Sequence, residues 1–305
     1  MNGGERACHV PVQRAMKFRF RWKCFGALVL AGLVVAALVV WETGGALMAP
    51  SNRPIGNPPA DLPVEKVEFP SASGTTIHGW FIAGKPGHGA IVLMHGVHGN
   101  RMSQVARAEF LSRAGYAVLL FDFQAHGESP GKHITFGHLE SRDATAAVDF
   151  IHQKLPGEKV GVIGVSLGAA AALLAEPPLP VNAMVLESSY PTIYQATEDR
   201  LVIRFGWLGR LATPLLTCQL KPRLGISPKD LSPIEHAKTI SVPKFFIAGT
   251  VDRDTTIEES RSMFAAAAGP KQSWWVEGAA HVDMYRFLGG EYEKRVLAFL
   301  AVNLK

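Results

Sequence analysis

A chain of 305 residues, 48% apolar and 19% charged, can bury a full hydrophobic core and is neither an intrinsically disordered polymer nor a multi-span membrane protein. Of its 31 basic and 26 acidic residues, six basic (Arg6, Arg14, Lys17, Arg19, Arg21, Lys23) and one acidic (Glu5) fall within residues 1–41, so the remainder carries 25 of each. A neutral body lacks the cationic excess of a phosphate-binding surface, which argues against nucleic acid as a partner.

The chain opens on a basic tail, 1–24, followed by the uncharged run FGALVLAGLVVAALVVW at 25–41. As a helix that run spans roughly 25 Å, near the lower limit for crossing a bilayer. Trp22 and Trp41 flank it as interfacial aromatics do. The expectation is a single-pass signal anchor with the tail in the cytoplasm and the body on the far side, periplasmic or extracellular. A cleaved signal peptide is the rival, with Gly44-Gly45-Ala46 offering small residues for a peptidase. The long basic region and long apolar run favour the uncleaved form. Residues 42–63, rich in Pro and Gly without periodicity, read as a linker. Of Cys8, Cys24 and Cys218, only Cys218 lies in the body, so the body has no internal disulfide or CxxC metal site.

The body, 64–305, alternates short apolar runs with amphipathic stretches. Residues 64–69 and 76–82 alternate in polarity around a turn at 71–74, as an antiparallel pair does. The later runs, at 90–94, 117–121, 160–165, 183–186, 244–249 and 273–276, are apolar throughout, which suits strands buried on both faces of a parallel sheet. Helical stretches at 104–113, 139–155 and 258–267 lie between them. The fold class is therefore α/β, with a mostly parallel central sheet and crossover helices. Residues 191–243 have no clear strand and carry apolar residues at helical spacing, including Trp207 and Leu211. A stretch this long exceeds an ordinary loop and is expected to form a helical lid, with Trp207 and Leu211 as its substrate contacts.

Gly164-Val165-Ser166-Leu167-Gly168 follows a strand-like run and precedes the helix-forming AAAALLAE. This GxSxG spacing suits a sharp strand-to-helix turn that exposes a nucleophilic serine and aims the new helix's amides at a forming oxyanion. The loop His95-Gly96-Val97-His98-Gly99-Asn100 ends an earlier strand and can present a second amide, that of Val97, beside that of Leu167. Metal ligation by His95 and His98, helped by His126, His133 or His138, is the competing reading. The glycine-broken loop has no Cys or carboxylate pair to support it.

A serine nucleophile needs a histidine base oriented by a carboxylate, and in a nucleophile-elbow fold the chain order is Ser, acid, His. Downstream of Ser166 stand His236, at the end of the expected lid, and His281, in the loop after 273–276. His281 occupies the position of a base. Asp252, just beyond the strand at 244–249, leads as the acid, with Asp254 and Glu187 as alternatives.

Taken in order, HGVHGN, FDFQAHGESPG, GVIGVSLGA, FIAGTVDRDT and EGAAHVDM resemble the α/β-hydrolase superfamily, and within it the serine aminopeptidase-like and monoacylglycerol-lipase-like branch with its membrane-tethered members. The resemblance spans about 64–305. It implies Ser166 as nucleophile, Asp252 as acid, His281 as base, and the Val97 and Leu167 amides as oxyanion hole, with no cofactor. Asp122, His126, Gly127 and Ser129 match a scaffold loop. The sequence departs from the pattern at Gln124 and Ala125, where the family often has Arg and Gly. It departs again at Asp254-Thr255-Thr256, which places a second carboxylate near the acid. The implied activity is that of a membrane-anchored serine hydrolase acting on an acyl ester, lipid-like or another carboxylic ester. The alternatives are a peptidase or thioesterase with the same triad, or a binding protein on a hydrolase scaffold.

Overall fold

The computed structural model describes residues 12–60 and 62–304, so the first eleven residues of the expected basic tail lie outside the described residues. The chain divides into two units, Met1–Ala46 and Leu47–Lys305. The first is built on helix α1 (Val12–Leu47). Within it Phe25–Leu47 is long and apolar enough to cross a bilayer. The helix thus runs past both ends of the apolar run: ahead of it Gln13, Arg14, Ala15, Met16 and Lys17 are good helix formers, and behind it the helix continues through residues 42–47 despite the poor propensities of Gly44 and Gly45. It also takes up the first residues of the segment expected as linker. More of that segment is ordered as β1 (Ser51–Asn52), which pairs in parallel with β6 (His126–Gly127).

The second unit contains an eight-stranded sheet. Its strands are β2 (Val64–Pro70), β3 (Thr76–Ile82), β4 (Ala90–Met94), β5 (Ala117–Phe121), β7 (Val160–Val165), β8 (Ala183–Glu187), β9 (Lys244–Gly249) and β10 (Lys271–Val276). Their spatial order is β10-β9-β8-β7-β4-β5-β3-β2. The pairings β2–β3 and β3–β5 are antiparallel and all others are parallel. Crossovers are made by α2 (Val105–Arg113), α3 (His138–Lys154), α4 (Leu167–Leu174) and α9 (Ile257–Ala266). The chain ends in α10 (Met284–Leu288) and α11 (Gly290–Leu304).

Side chains on a strand alternate between faces, and here both faces are covered. From β4, Ala90, Val92 and Met94 enter a core that includes Val148 and Ile151 of α3. Ile91 and Leu93 point the other way, into a core with Phe110 of α2 and Phe299 and Leu300 of α11. This is why the inner strands read as unbroken apolar runs.

Residues 191–243 hold no strand. They fold as α5 (Ile193–Phe205), α6 (Leu208–Thr217), α7 (Leu220–Leu224) and α8 (Pro233–Ala237), with a short 3₁₀ turn between the last two. Met48, Ile193, Ala196 and Leu220 share a smaller buried cluster beneath them.

The glycines of GxSxG are required by close backbone packing. A Cβ on Gly168 would lie 2.3 Å from the Met94 carbonyl oxygen, and one on Gly164 would lie 2.5 Å from the Ala169 nitrogen. Gly168→Ala is therefore expected to push α4 off β4 at a cost of about 1–3 kcal/mol or more. Calorimetry should show it as a thermal midpoint several degrees below wild type.

Candidate active site

Parallel strands deliver their C-terminal ends to one edge of the sheet, and ligands bind there in open α/β sheets. Ser166 follows β7 at that edge with φ 50° and ψ −107°. A side-chain-bearing residue in this region is strained by about 1–3 kcal/mol, so the surroundings must hold it. Its N–H donates to the Glu187 carbonyl at 2.8 Å, and its own carbonyl accepts from Ala170 N at 3.0 Å, opening α4. Leu167 is the first residue of that helix and is buried.

From β4 the chain turns through His95 into the 96–99 loop. Nε2 of buried His95 accepts the Phe123 N–H at 3.1 Å, so Nδ1 carries the proton and donates to the Gly96 carbonyl at 2.8 Å. Burial, with smaller contributions from His126 and Arg53, lowers its pKa to about 3. His95 is therefore a neutral peg that shapes the loop, with no nitrogen left for a metal. Among the described residues no group of three or more His, Cys, Asp or Glu side chains is placed to hold a metal ion.

Beyond β9, Asp252 accepts the N–H groups of Asp254 (2.9 Å) and Thr255 (3.0 Å) on Oδ1. Its Oδ2 lies 2.8 Å from His281 Nδ1. His281 itself sits on the loop after β10, which is tied to the end of β9 by Thr250 N to the Val276 carbonyl (2.9 Å) and Val251 N to the Ala279 carbonyl (3.0 Å). The other carboxylates considered border the same cavity but are paired with arginines. Asp254 is half-exposed and faces Arg200, 3.6 Å away. Glu187 is buried against Arg107 and Tyr292. His236 lies near Glu176 at 3.7 Å, away from the cavity lining.

Ser166, His281, Gly96 and Val97 line one cavity of about 420 Å³, a size suited to a small ligand. Asp252 stands behind His281. Trp207 and Leu211, expected as substrate contacts, do not line it; they are 70% and 64% exposed. Sequence reasoning missed Arg107, Arg200 and Ser188, which also line it. Arg107 and Arg200 lie on α2 and α5, where surface arginines are ordinary and no motif marks them. Gln124, a departure from the resemblance, is buried and bonded to the His133 carbonyl and to Glu140, both at 2.8 Å. It serves the scaffold. So does the neighbouring loop, where Ser129 Oγ donates to the Asp122 carbonyl at 2.7 Å and Glu128 N to the Asp122 carboxylate at 2.9 Å.

The sequence pattern of the family described as serine aminopeptidase, S33, matches residues 85–234, just under half of the chain. The YqkD protein of Bacillus subtilis is 27% identical over 245 residues, covering 78% of this chain and 80% of that protein. Human ABHD12B is 26% identical over 215 residues, covering 65% of this chain and 56% of its own length. Among solved structures, the Pyrococcus furiosus esterase Pf2001 superposes with a TM-score of 0.65 at 27% identity, covering 83% of this chain and 99% of the esterase. The strand order, the elbow after β7 and these likenesses together make the chain a member of the α/β-hydrolase superfamily.

Proposed function

We propose that the chain is a serine hydrolase that cleaves a carboxylic ester, lipid-like in character, and is held at a membrane by α1. The observation that carries this reading is the 2.8 Å Asp252–His281 pair opening on the cavity that also holds the strained Ser166. Asp252 fixes the proton on His281 Nδ1, which leaves Nε2 free to accept the Ser166 proton. The Ser166 oxygen then attacks the acyl carbonyl. The Val97 and Leu167 amides stabilise the oxyanion, and His281 returns the proton to the leaving alcohol. Water, activated by the same histidine, releases the acid from the acyl-enzyme. No cofactor enters any step. The description of Pf2001 as an esterase supports an ester substrate.

The aminopeptidase description of the matching family supports a second reading, amide cleavage by the same three residues. A panel of nitrophenyl esters and aminoacyl nitroanilides separates the two. The six basic residues ahead of the apolar run support an anchor with the hydrolase unit on the non-cytoplasmic side.

A fluorophosphonate probe is expected to label wild-type protein in the membrane fraction and to leave Ser166→Ala unlabelled. Equal labelling of both would refute Ser166 as the nucleophile. Ser166-dependent labelling confined to the soluble fraction would replace the anchor with a cleaved signal peptide.

A further inference from the structure

His281 and Ser166 approach each other from distant strands. Ser166 follows β7 and His281 follows β10, three positions apart in the sheet. Neighbouring strands lie about 4.8 Å apart, so the base loop must reach roughly 14 Å across the ends of β9 and β8. The ties to β9 hold the near side of that loop. Its far side ends at Asp283, two residues beyond His281, where Oδ1 accepts the N–H groups of Tyr285 (3.0 Å) and Arg286 (3.2 Å) and starts α10.

Arg107 of α2 meets it there. This guanidinium is 1% exposed and lines the cavity. Its Nη2 lies 3.0 Å from Asp283 Oδ1 and 2.7 Å from Glu187 Oε2, while its Nε donates to Glu187 Oε1 at 3.2 Å and to the Tyr292 hydroxyl at 3.2 Å. Tyr292 in turn donates to Glu187. Glu187 is also the residue whose carbonyl receives the Ser166 N–H. Burial alone would lower the Arg107 pKa, but Glu187, Tyr292 and Asp283 raise it well above its ordinary value, so the group stays charged.

One buried cation therefore touches two carboxylates of different function. Glu187 carries the backbone of the nucleophile, and Asp283 ends the loop of the base. We propose that Arg107 is a positioning residue that sets the Ser166–His281 separation by clamping Glu187 to Asp283. The proposal rests on the assignment of Ser166 and His281 as nucleophile and base. The geometry gives it a stringent requirement, because a lysine ammonium is a single point on a flexible stem and does not reproduce a planar fork across two carboxylates.

The test uses the full chain in bilayer nanodiscs and a short-chain nitrophenyl ester, with kcat, KM, fluorophosphonate labelling rate and thermal midpoint measured for each variant. Arg107→Lys is expected to lower kcat and labelling rate about 10- to 100-fold with KM within about threefold, since misplacing catalytic groups by about 1 Å costs on that order. Asp283→Asn keeps an oxygen for the helix start and is expected to lose about three- to tenfold. It carries the test alone if Arg107→Lys folds poorly. The double variant should lose no more than Arg107→Lys, because both substitutions cut one connection. Unchanged kcat and labelling in folded Arg107→Lys, or in Asp283→Asn if that is the variant that folds, would overturn the proposal. A loss accounted for by the unfolded fraction at the assay temperature would overturn it too, as would multiplicative losses in the double variant. Wild type that neither labels nor hydrolyses any acyl substrate would instead bring down the hydrolase assignment, and the proposal with it.

Discussion

Ser166→Ala, His281→Ala and the double variant are expected to share one residual rate, each about 10⁵- to 10⁶-fold below wild-type kcat. The proposed chemistry makes the two residues a single device. Without the serine the base has no proton to remove, and without the base the hydroxyl is a poor nucleophile at neutral pH. The residual rate would come from water attacking a carbonyl that the Val97 and Leu167 amides still polarise. The measurement is steady-state hydrolysis of a short nitrophenyl ester by all three variants. A double variant slower by the product of the single losses, or a Ser166→Ala variant keeping a tenth of wild-type activity, would contradict the shared role.

Asp252→Asn is expected to lower kcat about 10⁴-fold, whereas Asp254→Asn should stay within about threefold, the usual scale for an exposed ion pair. The hydrogen bonds at 252 dictate how an asparagine would sit. Oδ1 receives two backbone N–H groups, from Asp254 and Thr255, so the amide oxygen must take that place. The amide NH₂ then faces His281 Nδ1, which can only accept from it. That moves the imidazole proton to Nε2, where it blocks proton transfer from Ser166. The geometry survives and the tautomer is wrong. Asp254 points toward Arg200 instead, so its charge has no part in this choice. Parallel kcat measurements on the two variants decide between the carboxylates; a large loss at 254 with none at 252 would reverse the assignment.

The contrast between 252 and 254 also marks what a linear chain can convey. Position at a strand's end is readable, since continuous apolar runs betray strands covered on both sides. Ile91 and Leu93 face one layer of helices while Ala90, Val92 and Met94 face the other. The direction of a side chain after the strand ends depends on loop hydrogen bonds, and no periodicity carries those. Glu187 shows the same limit. Its place at a strand end made it a rival acid, but the partner that occupies it, Arg107, lies eighty residues upstream. Trp207 and Leu211 show it for helices. Their spacing announces a helix with an apolar side, yet nothing in the spacing tells which side meets the cavity. In the structure both are exposed, and Arg200 of the preceding helix lines the cavity instead. The ends of α1 were hidden because a charged residue interrupts an apolar run without interrupting a helix.

The left-handed backbone of Ser166 has an evolutionary consequence. At φ 50° a glycine would sit with little strain, so selection for stability alone would favour drift from serine to glycine at this position. Under the proposed chemistry the destination, a more robust scaffold with no hydroxyl, would be catalytically silent. Stabilising a strained active site commonly costs activity, so stability and function pull in opposite directions at such a position. Under that chemistry the demand of function falls on Ser166, one of five non-glycine residues with positive φ among the described residues, where the hydroxyl would be kept against the preference of its own backbone.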